Sequence, residues 1–312
     1  MRLDGYLVGE PESAAARAAE LEGLGYEGVW TTETRHDPFL PLALAAGATT
    51  RVSLGTAIAT AFTRSPMVTA VAAWDLQRLT GGRFVLGLGT QVKAHNERRF
   101  SVPFESPGPK LRELVEALRH IWGAFQGEHP LRFRGRFYRH DLLTPFFDPG
   151  PLDFGPPPVY LAAVTPYMYG IAGEAADGVH VHPFHTARYL REVALPALGR
   201  SVPLAASVFC VVGGDDLAVR QQIAFYGSTR TYRPVFEVHG WGELTETLHR
   251  LMARRDVDGM ARAIADEVLG EFAVYGSTWA EALAALRERY DGLVDRISVY
   301  GGGDARAIAE AW

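Results

Sequence analysis

The sequence predicts an α/β fold, a closed parallel (β/α)8 TIM barrel, and three observations predict it. Short apolar runs alternate with helix-period segments along most of a 312-residue chain, a length that suits one such barrel with insertions. Eight of the runs read as core strands, each followed by at least one helix, which argues for a closed sheet over an open one. The run Arg83-Phe-Val-Leu-Gly-Leu-Gly89 is almost wholly apolar, as a strand covered on both faces requires. The expected organisation is one domain, 1–312, with an insertion at 92–157 and a helical excursion at 227–271.

In order, residues 2–7 read as a strand and 12–24 as a helix that stops at Gly25. A second strand, Gly28-Val-Trp-Thr-Thr32, ends in Glu33-Thr-Arg-His-Asp37, and Pro38 and Pro41 lead into the alanine-rich helix 42–49. The third strand begins at Arg51 and passes through Gly55-Thr-Ala-Ile-Ala59, where small residues surround a single large one. That pattern fits a bulge where a planar ligand approaches the backbone, and it equally fits a tight barrel layer. Ser65 and Pro66 cap a helix over 67–79, and the fourth strand is 83–89.

There the rhythm stops. An amphipathic helix over 110–125 is followed by a hairpin over 131–140 that turns at Gly135, and a Pro- and Gly-rich return over 148–158. Alternation resumes with strand 159–163, helix 166–176, strand 178–182, helix 186–198, strand 204–212 and helix 215–226. The excursion carries helical patterns at 243–253 and 257–269. Helix 277–291, strand 296–300 and helix 304–311 close the chain.

Composition narrows the function. Hydrophobic residues make up 47% and charged residues 21%, which excludes a disordered chain and supplies a large core. No apolar run is long enough for a membrane span, and the N-terminal MRLDGYLVGEPE lacks the basic and apolar regions of a signal peptide, so a cytoplasmic protein is expected. The single cysteine, Cys210, reads as a small core residue and not as a nucleophile. A net charge of -5 with mixed signs gives no general attraction to nucleic acid or to a membrane, leaving a small-molecule substrate as the expected partner.

In a barrel of this type the loops after the carboxyl ends of the strands form the site. Gly87-Leu-Gly89 is half of a dinucleotide fingerprint, but Val92 stands in the third glycine's place, so a strand end that admits close approach is the plainer reading. Ala163-Val164-Thr165 before Pro166 starts a helix, with Thr165 as N-cap; its open amides suit a phosphate or simply a cap. His180 and His182 share a strand face, yet no third ligand lies at metal spacing, and His182, nearest the strand's end, reads as a cofactor or substrate contact. No metal is expected. Glu33, His36 and Asp37 offer acid–base groups, or a salt-bridged loop with Arg35 in which Asp37 caps the next helix. The hairpin arginines Arg132, Arg134, Arg136 and Arg139 read as an anion site or as one solvated face. A serine hydrolase elbow and a P-loop are both absent.

Taken together, Gly28-Val-Trp-Thr-Thr-Glu-Thr34, Gly55-Thr-Ala-Ile-Ala59, Gly81-Gly-Arg-Phe-Val-Leu-Gly-Leu-Gly-Thr90, Tyr160-Leu-Ala-Ala163 and Ala175-Ala-Asp-Gly178 resemble the bacterial luciferase-like superfamily, and within it the oxidoreductases that use the deazaflavin coenzyme F420. The resemblance implies a non-prolyl cis peptide at or near Ala57-Ile58 under the deazaflavin ring, with Ala59 beside it, and Glu33 and Thr34 flanking the ring. Gly89, Thr90 and Gln91, together with Ala163, Val164 and Thr165, would contact its ribityl and phosphate parts, with His95 and His182 as further contacts. Thr34 stands where many relatives carry a histidine, so that catalytic histidine is missing, and Glu33 and His36 are the expected catalytic pair. The reaction implied is hydride transfer to or from ring carbon C5, for which the protein supplies mainly a dry, aligned pocket. The alternatives are an FMN-dependent monooxygenase and a non-catalytic flavin- or deazaflavin-binding protein. A homodimer is the implied assembly. Phe62, Arg64, Arg230, Arg233, His239 and Trp241 are candidates for the substrate pocket.

Overall fold

The computed structural model describes all 312 residues. Its strands are β1 (Arg2–Tyr6), β2 (Gly28–Thr31), β3 (Ser53–Thr56), β4 (Ala59–Thr60), β5 (Phe84–Gly89), β6 (Phe133–Arg134), β7 (Arg139–His140), β8 (Val159–Ala163), β9 (Gly178–Val181), β10 (Leu204–Val212), β11 (Ala273–Gly276) and β12 (Arg296–Val299). The pairing order β10-β12-β1-β2-β3-β5-β8-β9 returns to β10, so the sheet closes into the eight-stranded parallel (β/α)8 barrel. The third predicted strand is divided into β3 and β4, with Ala57 and Ile58 between them. β4 pairs with β5 (Ala59 with Leu88, Thr60 with Gly89).

Two differences from the sequence expectation lie in the excursion and directly after it. The single helix expected over 257–269 is two, Val257–Ala263 and Asp266–Phe272, because Ile264 and Ala265 adopt extended backbone. A ninth parallel strand, β11, pairs outside the barrel ring with β10 (Phe209 with Ala273, Val212 with Gly276). The predicted helix 186–198 is one run with a π-type turn at Leu190–Ala194, capped by the Thr186 hydroxyl, which accepts from the Tyr189 amide.

By contacts the chain divides into two compact units. The first comprises 1–5, 163–170 and 181–312; the second comprises 6–162 and 171–180. In the first unit the buried ion pair between Asp4 and Arg296, 2.8 Å at both contacts, joins β1 to β12. The hydroxyls of Ser207 and Ser298, 2.8 Å apart, join β10 to β12. Phe184, Phe236 and Phe272 form an aromatic cluster, with centroids 4.8 to 5.6 Å apart.

The second unit is built on β2, β3 and β5, whose Val29, Leu54, Phe84 and Leu86 are fully buried. The entry into β3 is fastened by Glu22, which accepts the amides of Thr50, Arg51 and Val52. Burial raises its pKa, but those amides overcome that effect and hold the carboxyl down at about 2. The insertion's long helix, Pro107–Phe125, lies on helix Pro66–Leu79, with Trp122 donating to the Ala70 carbonyl at 3.1 Å. From that helix Glu113 accepts the amides of Arg136, Phe137 and Tyr138 at 2.9, 2.6 and 2.8 Å, which shapes the turn between β6 and β7. The hairpin arginines Arg132, Arg134, Arg136 and Arg139 are all exposed while Phe133, Phe137 and Tyr138 are half-buried: one solvated face and one packed face. No helix is long and apolar enough to cross a membrane.

Candidate functional site

In the second unit, β2 carries the chain out to Glu33. Its amide donates to the Ile58 carbonyl at 3.2 Å, and the Ala57 amide donates to the Thr31 carbonyl at 2.7 Å. The β2–β3 ladder therefore continues across the Ala57-Ile58 peptide, which is cis at the place the resemblance implied. Ala57 and Ile58 are half-buried between buried Thr56 and Ala59, so they form the accessible part of this stretch.

The Glu33 carboxylate is fully engaged. One oxygen accepts the Thr60 amide at 2.6 Å and Arg64 Nη1 at 2.9 Å, and the other accepts Arg64 Nη2 at 3.0 Å. Arg64 also donates to Asp37 at 2.8 Å, while the other Asp37 oxygen accepts the amides of Phe39 and Leu40 at the start of the next helix. The side chains are 8% exposed for Glu33 and 19% for Arg64. Burial alone lowers the Arg64 pKa; the hydrogen bonds and charges of Glu33 and Asp37 exceed that and raise it, keeping the guanidinium charged. This cluster ties the segment after the cis peptide to the end of β2. The capping role expected for Asp37 is present, but the cation is Arg64 and not Arg35, which is exposed. His36 lies apart, with Nε2 3.4 Å from Glu10 and its side chain 39% exposed. Thr34 is exposed and its carbonyl accepts from Arg99.

β5 brings up the neighbouring surface. A Cβ at Gly89 would come within 2.9 Å of the Ile58 side chain, so the bare backbone there is what lets Ile58 pack. Thr90 and Gln91 follow, both half-buried, and His95 is exposed on the π-type turn His95–Arg99. Gly55 has a different cause. A Cβ on it would sit 2.4 Å from the Val85 carbonyl oxygen and 2.6 Å from the Trp30 ring, so the tight-layer reading holds at Gly55 and the accessible surface begins two residues later. Sequence reasoning missed Asn96, which is buried behind this loop, and Arg64's tie to Glu33; neither carries a local signal, because the partners of Arg64 lie about thirty residues away.

In the first unit Ala163 ends β8 and accepts from the His182 amide at 3.4 Å. The Val164 carbonyl accepts from the Tyr189 hydroxyl at 2.7 Å, and the Thr165 hydroxyl accepts from the Met168 amide at 3.3 Å as the expected N-cap. His182 stacks edge-on to Tyr226 at 4.6 Å and lies 5.2 Å from Tyr232. Its Nδ1 accepts from the Phe184 amide at 3.0 Å. Burial, and then His185, push its pKa down to about 3, so the ring is neutral and its proton sits on Nε2. His180, by contrast, is packed among Trp30 and Tyr160 in the second unit. Of the substrate-pocket candidates, Arg230 pairs with Glu246 and Arg233 with Glu237 in exposed ion pairs, and His239 Nε2 lies 2.8 Å from the Thr186 hydroxyl. The Cys210 thiol is pushed up to about 12 by burial, which keeps it protonated near neutrality.

His185 makes a pH prediction. It is 2% exposed, its Nδ1 lies 2.8 Å from the His182 carbonyl oxygen, and burial pushes its pKa down to about 4. The unfolded chain binds the proton at about 6.5, so this group's contribution is complete above pH 6.5 and is lost as pH falls toward 4. Between pH 7 and 5 it should remove about 2 kcal/mol from the unfolding free energy. Urea unfolding of wild type and His185→Phe at both pH values should show that share missing from the variant; equal acid sensitivity would refute the assignment.

Among curated relatives, the chain is 46% identical to an uncharacterized protein of Mycobacterium tuberculosis over 95% of this chain and 92% of the relative. It is 27% identical to the 5,10-methylenetetrahydromethanopterin reductase of Archaeoglobus fulgidus over 82% of this chain and 80% of that protein. Among solved structures, the coenzyme F420 dependent tetrahydromethanopterin reductase from Methanopyrus kandleri superposes with a TM-score of 0.79 at 22% identity, over 99% of this chain and 96% of that one, which establishes the shared fold. The family model for the luciferase-like monooxygenases matches residues 3–296, and the chain belongs to that family.

Proposed function

We propose that the protein is an oxidoreductase that transfers a hydride between coenzyme F420 and a small organic substrate. The observation that carries this reading is the accessible Ala57-Ile58 surface beside Gly89. Glu33, whose amide donates to the Ile58 carbonyl, has both carboxylate oxygens engaged by Arg64 and Thr60, so that carboxylate is not a free acid at this surface. Such a surface suits chemistry that a bound cofactor brings. The buried Thr60 hydroxyl, which has no partner, adds an unused polar group next to β4. A neighbour described as F420 dependent supports the choice of deazaflavin, and a relative named as a methylenetetrahydromethanopterin reductase, aligned over most of the chain, supports a reductase.

When bound, the deazaflavin supplies the hydride acceptor or donor. Ala57, Ile58, Ala59, Gly89, Thr90 and Gln91 would hold it in the second unit, with Thr34 and His95 as further contacts. In the first unit, Ala163, Val164, Thr165 and His182 offer polar groups of their own, a helix start capped by Thr165 and a neutral ring whose Nε2–H is a fixed donor. Glu33 is assigned to positioning. His36 keeps the role of proton carrier, being outside the Arg64 cluster. The family description favours a second reading, FMN-dependent monooxygenation.

Fluorescence titration separates the two. Saturable quenching by F420, at least about tenfold tighter than FMN, is the expected result, a difference of about 1.4 kcal/mol. Tight FMN binding without F420 binding would replace the first reading by the second, and turnover assays then separate an enzyme from a non-catalytic binder. The homodimer is likewise a proposal, read by light scattering.

A further inference from the structure

Just beyond the β6–β7 hairpin, the second unit holds three large apolar side chains out in solvent. Phe146 is 89% exposed, Leu142 76% and Phe147 70%, and the two phenyl rings meet edge to face with centroids 5.2 Å apart. The exposure is built into the turn. Pro145 and Pro149 bracket the pair, the Phe147 amide donates to the Thr144 carbonyl at 2.9 Å, and the Gly150 amide donates to Asp148 at 2.9 Å. The end of the turn is fastened to helix Pro66–Leu79, where Arg78 donates to the Pro149 carbonyl and Trp74 to the Gly150 carbonyl, both at 3.1 Å. A turn so held keeps the rings off the core, and adjacent exposed rings of this kind mark a surface that another body covers.

The charge beside the turn identifies that body. Arg132, Arg134, Arg136 and Arg139 are exposed immediately before it, and exposed Arg78 stands at its base. Asp141 pairs with Arg139 at 2.5 Å and lies 3.6 Å from Arg134, while Arg132, Arg136 and Arg78 have no carboxylate partner. Over 132–148, four arginines stand against Asp141 and Asp148, a local net of +2 in a chain whose total is -5. The attraction is therefore local and falls off within a Debye length of about 10 Å at 0.1 M salt.

A second copy of the chain fits this surface poorly for two reasons. A two-fold contact would bring the same arginines toward themselves. The two phenyl groups also offer roughly 400 Å², about half of the ~800 Å² per partner that a stable interface buries. An apolar tip beside a basic strip matches an anionic lipid surface, where aromatic side chains sink into the headgroup boundary and arginines meet the negative charge.

We propose that the turn carrying Phe146 and Phe147, together with the hairpin arginines, docks the protein on the surface of an anionic lipid bilayer. Phe146 and Phe147 enter the headgroup region, and Arg132, Arg134 and Arg136 lie along the lipid charges. The inference goes beyond the coenzyme reading and does not rest on it.

Vesicle sedimentation tests it on the full chain and on two variants, Phe146→Ser/Phe147→Ser and Arg132→Gln/Arg134→Gln/Arg136→Gln. The probes are vesicles of phosphatidylcholine alone and of phosphatidylcholine with about one-third phosphatidylserine, at about 0.1 M salt. Wild type should partition onto the phosphatidylserine vesicles at least about tenfold more strongly than onto phosphatidylcholine, and most of that preference should vanish at about 1 M salt. The phenylalanine variant should bind both vesicles at least about tenfold more weakly. The arginine variant should lose the preference for phosphatidylserine. Both variants should melt within about 2 °C of wild type, because the replaced side chains are exposed; if the double phenylalanine variant does not fold, Phe146→Ser alone carries the test. Wild-type binding that is absent, or equal on the two vesicles, overturns the proposal, and so does a phenylalanine variant that binds like wild type. A wild-type dimer that the phenylalanine variant converts to a monomer in light scattering also overturns it, by assigning the face to a second copy.

Discussion

Replacing Arg64 by methionine should destabilise the protein by about 3 kcal/mol and weaken coenzyme binding at least about tenfold. The substitution leaves the Glu33 carboxylate, 8% exposed, with the Thr60 amide but no cation, and it releases Asp37 from the guanidinium. Removing one partner of a buried pair is more damaging than removing both, because the remaining charge is left desolvated. At roughly 2–4 °C per kcal/mol for a domain of this size, melting should fall by about 6–12 °C. Binding should fall with it, since the same carboxylate fastens Thr60 and thereby the segment that follows Ala57-Ile58. The double variant Glu33→Gln/Arg64→Met should recover much of the stability, the neutral amide needing no cation, without recovering the affinity. An Arg64→Met protein that melts within about 1 °C of wild type would show that the pair is not a brace.

That pair also marks where sequence reasoning stopped. Strands 159–163 and 204–212 were legible residue for residue, because short apolar runs bounded by proline or glycine have few other fates. Ser65 before Pro66 was legible as a cap for a local reason: its hydroxyl accepts from Val68, three residues on. Glu33 was legible as a carboxylate directly after β2, but its partner was not. Arg35 was the nearest cation in sequence, whereas the chain brings Arg64 over from beyond β4. β11 was missed because four residues of mixed character, with buried Ala273 and Val274 followed by exposed Tyr275, carry too little periodicity to stand out between helices. The break at Ile264 and Ala265 was missed because neither residue is a helix breaker, so its cause lies in tertiary packing, which overrides propensity. Asn96 had no signal at all, since its role depends on two carbonyls that only the folded turn presents to it.

Gly55 gives the second large effect, and it reverses what the small-residue pattern suggests when read as a ligand seat. On that reading Gly55→Val would abolish coenzyme binding while the protein still folded. The structure places the missing side chain elsewhere: a Cβ would stand 2.4 Å from the backbone oxygen of Val85 on β5 and 2.6 Å from the fully buried Trp30 ring. Neither neighbour is a flexible chain end. β3 pairs with β2 on one side (Gly55 with Trp30) and with β5 on the other (Gly55 with Val85), so relief requires opening a ladder. Overpacking a settled core costs about 1–3 kcal/mol, and the three added carbons with the backbone contact place Gly55→Val at or above the upper end. Gly55→Val should therefore express mostly as insoluble protein, and Gly55→Ala should fold with a clearly lowered urea midpoint and near wild-type affinity for whichever coenzyme binds. Far-UV circular dichroism and urea unfolding check the first part, and coenzyme titration of Gly55→Ala checks the second. A Gly55→Val protein with the wild-type unfolding midpoint but no coenzyme affinity would return Gly55 to the binding surface and move the edge of the seat two residues toward the start of β3.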